Sequence, residues 1–392
     1  MDTKTYLEDE ENRNITKDQQ LHDYMKFRKE NDRWLHPLVY QTNVVGADRM
    51  EIPFARIQYE QLADIPDQAL DETIRDMGLF LVYPNEDKEF EILPVGRTAI
   101  DSLFARAGIT GPSLYRTDTK GEKTAMEPVR KASIVTEFLK LNSENSSLLV
   151  RDGKVRYFGS KEYGILPADE GIAALENYLA AEHPDYQFSN GMISQEYMVA
   201  RYLAHDSAAE TDIQSKLKDA GFDADKVELG FQFSDSDVGN SEMRVRTYLV
   251  INDTSVMMGR PFGVRHERGN SVDDFKELLP KAGASYTEAE DQIEALGNTE
   301  IAHVAGTFLN LAKKVKVLPM GEAKKKAEEL KLKITGSVTG IDIYIALNEL
   351  ISDIKTSKGL TATQFVRYTE AVADLLFVDF KAYDRPFVEK EN

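Results

Sequence analysis

The stretch 147-SLLVRDGKVRYFGS-160 sets Asp152 and Gly153 between two runs of β-forming residues. Asp-Gly favours the left-handed backbone that a type I′ turn requires, and that turn twists the way paired strands twist. A tight antiparallel hairpin is expected here. Working outward, YMVARYL (197–203), VELGFQF (227–233), EMRVRTYLVI (242–251) and SVMMGRPFGVRH (255–266) also read as strands. Residues 147–266 therefore predict a mostly antiparallel sheet, with helical insertions such as 168–181. From Ser271, which can cap a helix through VDDFKELL, the reading is almost wholly helical, with helices over 287–315, 339–356 and 361–379. Upstream, 59–78 and 124–141 read as helices. LFLVYPNEDKEFEIL (79–93) reads as two strands around a polar turn, and TAIDSLFARAG (98–108) as a helix closing on Gly108. The first 36 residues read as a weakly docked helical arm anchored by Trp34, the only tryptophan. The fold class is α+β, with a mostly antiparallel central sheet, helical insertions and an α-helical C-terminal region. The expected division is an arm and small acidic α/β segment (1–94), an α+β core (95–270) and a helical region (271–392).

With 392 residues the chain exceeds the usual size of a single core. No run of about 18 apolar residues is available to span a bilayer, so no membrane partner is expected. The polar, acidic start MDTKTYLEDEENRN lacks a secretory pattern and predicts a cytoplasmic protein, in a bacterial host cell once the resemblance below is considered. Zero cysteines exclude disulfides, thiolate metal ligands and cysteine nucleophiles. The net charge of −19 disfavours non-specific attraction to a polyanion. Charge is nonetheless segregated. Residues 58–94 carry ten acids against Arg75 and Lys88, whereas 312–334 carry eight lysines against three glutamates. Each run is compatible with a solvated helix face or with a charged partner.

FQFSDSDVGNSEMRVRTYL (231–249) raises the question of chemistry. An EF-hand counted from Asp235 needs Gly at its sixth place and Glu at its twelfth, which hold Asn240 and Arg246. Asp235, Asp237 and Glu242 remain candidates for a magnesium or manganese ion, and with it a metal-dependent nuclease. A turn whose Asp and Ser side chains bond their own backbone is the alternative. Just beyond, Arg244, Arg246 and Tyr248 alternate onto one strand face, a pairing of guanidinium and aromatic ring suited to phosphate and base. Arg151, Arg156 and Tyr157 on the hairpin repeat that chemistry, and Arg265 and His266 follow the last strand. Equally, such arginines can pair with acids elsewhere in so acidic a chain. The six histidines show no zinc spacing. No phosphate loop, dinucleotide fingerprint or nucleophile elbow occurs. No catalytic residue or cofactor is assigned, and a non-enzymatic role is favoured.

Several of these stretches resemble the phage/plasmid-like protein family of bacteriophages and plasmids. LVRDGKVRYFGSKEY resembles its hairpin, with Arg156, Ser160 and Tyr163 after the turn. FSDSDVGNSEMRVRTYL resembles its polar turn, VRHERG its His266 and Gly269 element, and GIDIYIALNELISD its late helix. The similarity covers roughly residues 95–380. Where relatives carry Cys-x-Asn this chain has LVINDTS, without cysteine. The family carries no assigned reaction, so the resemblance implies a context: replication or recombination of mobile DNA, or interference with host defence. The expectation is a DNA-binding protein that takes single-stranded nucleic acid in replication, recombination or annealing, through Arg151, Arg156, Tyr157, Arg244, Arg246, Tyr248, Arg265 and His266, with assembly as a homo-oligomer. The alternative is an acidic or DNA-mimicking factor that engages a basic host protein.

Overall fold

The computed structural model describes residues 6–388 apart from 53–54, 58, 86–88, 111–126, 206–207, 220–221, 223 and 334–336. Glu86 and Asp87 of the acidic run thus lie outside the described residues. The chain begins with β1 (Arg13–Ile15), α1 (Asp18–Asn31), β2 (Arg33–Leu35) and β3 (Asn43–Gly46). A small ribbon, β4 (Glu51–Ile52) with β5 (Ala55–Arg56), leads to α2 (Asp67–Asp76), β6 (Leu79–Pro84), β7 (Phe90–Pro94) and α3 (Ile100–Arg106). Next come α4 (Pro128–Leu139), β8 (Ser146–Arg151), β9 (Lys154–Ser160) and α5 (Ala168–Glu182). They are followed by β10 (Gln187–Ile193), β11 (Met198–Leu203), α6 (Ala208–Asp219), β12 (Val227–Asp235), β13 (Met243–Ile251) and β14 (Thr254–Val264). The remainder is helical: α7 (Val272–Lys276), α8 (Leu279–Gly297), α9 (Val304–Val315), α10 (Met320–Lys333), α11 (Gly340–Lys358) and α12 (Ala362–Ala373).

The protein is α+β. Its largest sheet has six strands in the order β1-β10-β11-β12-β13-β14, every neighbouring pair antiparallel. Two three-stranded sheets, β2-β8-β9 and β3-β6-β7, lie beside it. The expected hairpin is β8–β9, and Asp152 (φ 53°) and Gly153 (φ 72°) both occupy the left-handed region. A second such turn, Asn252 (φ 46°) and Asp253 (φ 69°), joins β13 to β14.

Strand alternation determines what each face of the large sheet holds. Met198, Ala200, Phe231, Phe233, Met243 and Val245 share one face, where they pack with Met25 of α1, Leu175 of α5 and Phe275 of α7. Farther along this face Leu249, Val256 and Met258 meet Ile293 of α8. The register Arg201↔Gln232↔Arg246 places those three on the opposite face with Arg244 and Tyr248. Helices α11 and α12 cover that face. The Tyr344 hydroxyl donates to the Met257 carbonyl at 2.7 Å, and Arg201 lies 5.0 Å from the Tyr248 ring and 5.1 Å from Phe365.

The structure ties together segments that the sequence divides at residues 94 and 270. Val95 bridges to Val155, and the Thr136 hydroxyl of α4 accepts from Val44 N at 2.8 Å, so residues before and after 94 share one core. The described part of the arm is docked. Its β1 forms an edge of the large sheet, and its β2, with Trp34, pairs with β8. The helix expected over 287–315 is two helices, because 299–301 leaves the helical path to bond with 338–340. There Ile301 N donates to Val338 O and Gly340 N to Thr299 O, both at 2.8 Å.

The hairpin turn gives a direct stability test. A Cβ on Gly153 would sit 2.8 Å from Pro66 Cδ at φ +72°, whereas one on Gly108 (φ +68°) would meet nothing within 4 Å. Gly108→Ala should cost about 1 to 2 kcal/mol from the left-handed backbone alone. Gly153→Ala should cost measurably more by urea unfolding, and equal losses would mean that the hairpin does not press on the loop before α2.

Candidate functional site

The polar turn after β12 sits where the arm, the hairpin and the large sheet meet. Arg151, at the end of β8, donates from Nε and Nη2 to Asp32 at 3.0 and 2.7 Å, and from Nη2 to Asp237 at 2.7 Å. Arg28 of α1 bonds to the same two carboxylates, reaching Asp32 at 3.4 Å and also pairing with Asp237. Two arginines and two aspartates thus alternate around one node, with the arginines buried and the aspartates partly exposed. Burial alone would raise the Asp32 carboxyl, but Arg151 and Arg28 outweigh it and hold it below its usual range. Beside the node, His266 faces oxygen acceptors with both ring nitrogens, Asp235 at 2.9 Å and the Gly164 carbonyl at 3.2 Å. Tyr163 stacks on the imidazole with centroids 5.1 Å apart and donates its hydroxyl to the Ser236 carbonyl at 3.3 Å. Trp34 stacks on Tyr163 in turn. A cleft of about 190 Å³ opens here, lined by Arg28, Asp32, Trp34, Asp237 and His266.

A second node lies on the other side of the hairpin. Lys154 Nζ contacts both oxygens of Asp9 at 2.9 Å and Glu72 at 3.0 Å, and Arg156 pairs with Asp9. Gln195 holds the incoming chain by donating to the Leu7 carbonyl at 2.6 Å and to Asp152 at 2.9 Å. Burial would raise the Asp9 carboxyl, yet Arg156, Lys154 and the Arg97 amide hold it well below the ordinary carboxylate range.

The third cluster is the covered face of β11 to β13. Arg244 pairs with Glu370 of α12 at 2.9 Å. Arg201 donates to Gln232 at 2.8 Å and Ser255 at 3.2 Å, while its Nη2, like Arg246 Nη1 and the Tyr248 hydroxyl, is buried without a partner. Burial lowers the pKa of both Arg201 and Arg246.

These positions correct the expected nucleic-acid surface. Arg151, Arg156, Tyr157, Arg246, Tyr248 and His266 are buried, and Arg244 is only 14% exposed, so together they present no open surface to a phosphate backbone. Arg265 alone of the eight is largely exposed, and it pairs with Glu242 and Glu267. Burial pushes the Tyr157 hydroxyl up to about 12, and its ring packs 4.6 Å from Tyr163 rather than facing a base. The metal candidates are corrected too. Asp235 faces His266, Asp237 faces two arginines and Glu242 faces Arg265, so each carboxylate is committed to a different cation and the three share no site.

Comparison with family models, with curated proteins and with solved structures returns no match. The site is therefore read from its own geometry. Sequence reasoning missed Asp9, Arg28, Asp32 and Lys154, whose partners are distant in the chain. Only the buried hairpin cations, set between apolar strand residues, signalled that carboxylates must come to meet them.

Asp9 and Asp32 carry depressed values, so their pairs contribute fully above about pH 4, the unfolded carboxylate value, and that stability is lost as pH falls through the folded values. Asp9→Asn should cost about 3 to 5 kcal/mol at pH 7 by leaving Lys154 and Arg156 short of a counter-charge. The penalty should shrink in urea unfolding at pH 3, and a penalty equal at both values would show that charge is not what Asp9 supplies.

Proposed function

We propose that this chain is a non-enzymatic acidic factor that engages a basic protein partner, in the mobile-element setting that the family resemblance implies. The observation that carries this reading is where the cations go. Among the described residues Arg28, Lys131, Arg151, Lys154, Arg156, Arg201, Arg246 and Lys326 are buried, against Glu72 and Asp235, joined by Asp9, Asp152 and Asp384, whose carboxylates are 2%, 5% and 8% exposed. Basic charge is withdrawn from the surface, and the exterior is more acidic than the net −19 of the chain. Such a surface repels phosphate backbones and steers cationic partners.

The acidic run supplies a specific face. Asp64, Asp67 and Asp71 are exposed along α2 and its approach, with Ile74, 56% exposed, one turn farther on. This combination offers charge for steering and an apolar residue for anchoring. Helix α8 presents a comparable row in Glu288, Asp291 and Glu294.

A second reading keeps single-stranded nucleic acid as the ligand of the Arg201, Arg244, Arg246 and Tyr248 face. The unpartnered guanidinium nitrogens there favour it. It requires α12 to leave, although Val366 and Val372 of that helix are buried in the core.

Reversing Asp64, Asp67 and Asp71 to Lys should leave the circular dichroism spectrum unchanged and abolish salt-sensitive recovery of a basic protein from bacterial lysate. Recovery by wild type and variant alike, or by neither at low salt, would reject the α2 face. Labelled single-stranded DNA in the same salt series separates the two readings. Binding that Arg244→Ala with Arg246→Ala removes would return the function to the covered strand face.

A further inference from the structure

Helix α1 carries Asp18 and His22 one turn apart, and positions i and i+4 of a helix share a face. That face looks onto α5, where Glu176 projects toward the same point. His22 Nε2 lies 3.5 Å from Asp18 Oδ1 and 3.2 Å from Glu176 Oε1, and the three ligand atoms all fall within 4.8 Å of one another. Metal–ligand bonds of 2.0 to 2.1 Å at tetrahedral angles put neighbouring ligand atoms about 3.3 Å apart. The two separations to the imidazole bracket that value.

The chemistry of the set agrees with its spacing. One imidazole nitrogen and two carboxylate oxygens make a three-ligand site for a divalent transition cation, with a fourth position left for water. Glu176 is held in place by the Tyr202 hydroxyl, which donates at 2.9 Å to the same Oε1 that faces His22, as outer partners of metal-bound carboxylates do. The two carboxylates converge on the same imidazole nitrogen from different helices, Asp18 from α1 and Glu176 from α5. The side chains of His22, Asp18 and Glu176 are 43%, 54% and 26% exposed, leaving an ion a path from solvent.

We propose that Asp18, His22 and Glu176 bind a divalent transition cation of the zinc class, which pins the N-terminal helix to α5. The ion acts there as a staple between segments more than 150 residues apart, reinforcing the neighbouring pair of Lys29 with Asp169 at 2.8 Å. This inference does not rest on the basic-partner reading, and neither stands or falls with the other.

The test uses the full chain freed of metal with a chelator and titrated with zinc by calorimetry, with cobalt as a spectroscopic stand-in. One equivalent should bind, cobalt should show the visible bands of a tetrahedral nitrogen and oxygen site, and zinc should raise the melting temperature while slowing proteolysis within α1. His22 lies on the surface, so His22→Ala should fold normally and lose the binding, the bands and the protection together. Tyr202→Phe, which removes only the orienting hydroxyl, should weaken zinc about 10- to 100-fold. Absence of stoichiometric binding, or binding that His22→Ala and Glu176→Gln leave unchanged, would overturn the proposal.

Discussion

The pairing of Arg28 and Arg151 with Asp32 and Asp237 is the constraint on which the rest of the arrangement depends. Each side chain comes from a different element or its edge: α1, the link to β2, the end of β8 and the turn after β12. Removing any one leaves the remaining three one counter-charge short in a largely desolvated setting, which costs more than the pairing itself contributes. The four therefore fix the arm, the hairpin and the large sheet relative to one another.

The same economy of charge shapes the exterior. Interior carboxylates meet interior cations, and α2 and α8 are left with exposed rows of acids at Asp67 and Asp71 and at Glu288, Asp291 and Glu294. The lysine-rich stretch does not reverse this, since Lys325 and Lys331 pair with glutamates of their own helix and Lys326 with Glu349 and Asp353 of α11. A charge count along the chain suggested a basic patch, and pairing in space removes much of it.

What could be read from the sequence was local. The Asp152-Gly153 turn declares itself because two neighbouring residues determine it, and the strands around it are continuous β-forming runs buried on both faces. The short strands β1 and β2 stayed hidden, since three residues cannot show a period and their pairing is decided by partners far along the chain. The arginines of β13 were assigned to one face correctly, but a strand pattern cannot say whether that face meets water or a helix. Here α11 and α12, which begin some hundred residues later, supply the cover. The node at Asp237 was out of reach for the same reason, as Arg28 lies 209 positions away.

Synthesis order gives the docked arm a further meaning. Strand β1 completes its sheet only against β10, where Ile15 lies opposite Gly191. At ribosomal speeds of about 5 to 20 residues per second, the wait between making one and making the other is roughly ten to thirty-five seconds. Throughout that interval Asp9, Arg28 and Asp32 stay hydrated, and the edge of the future sheet has nothing to seal it. The arm thus leaves the ribosome well before the strand that receives it, and it spends that time as an open, charged thread that chaperones and proteases can reach.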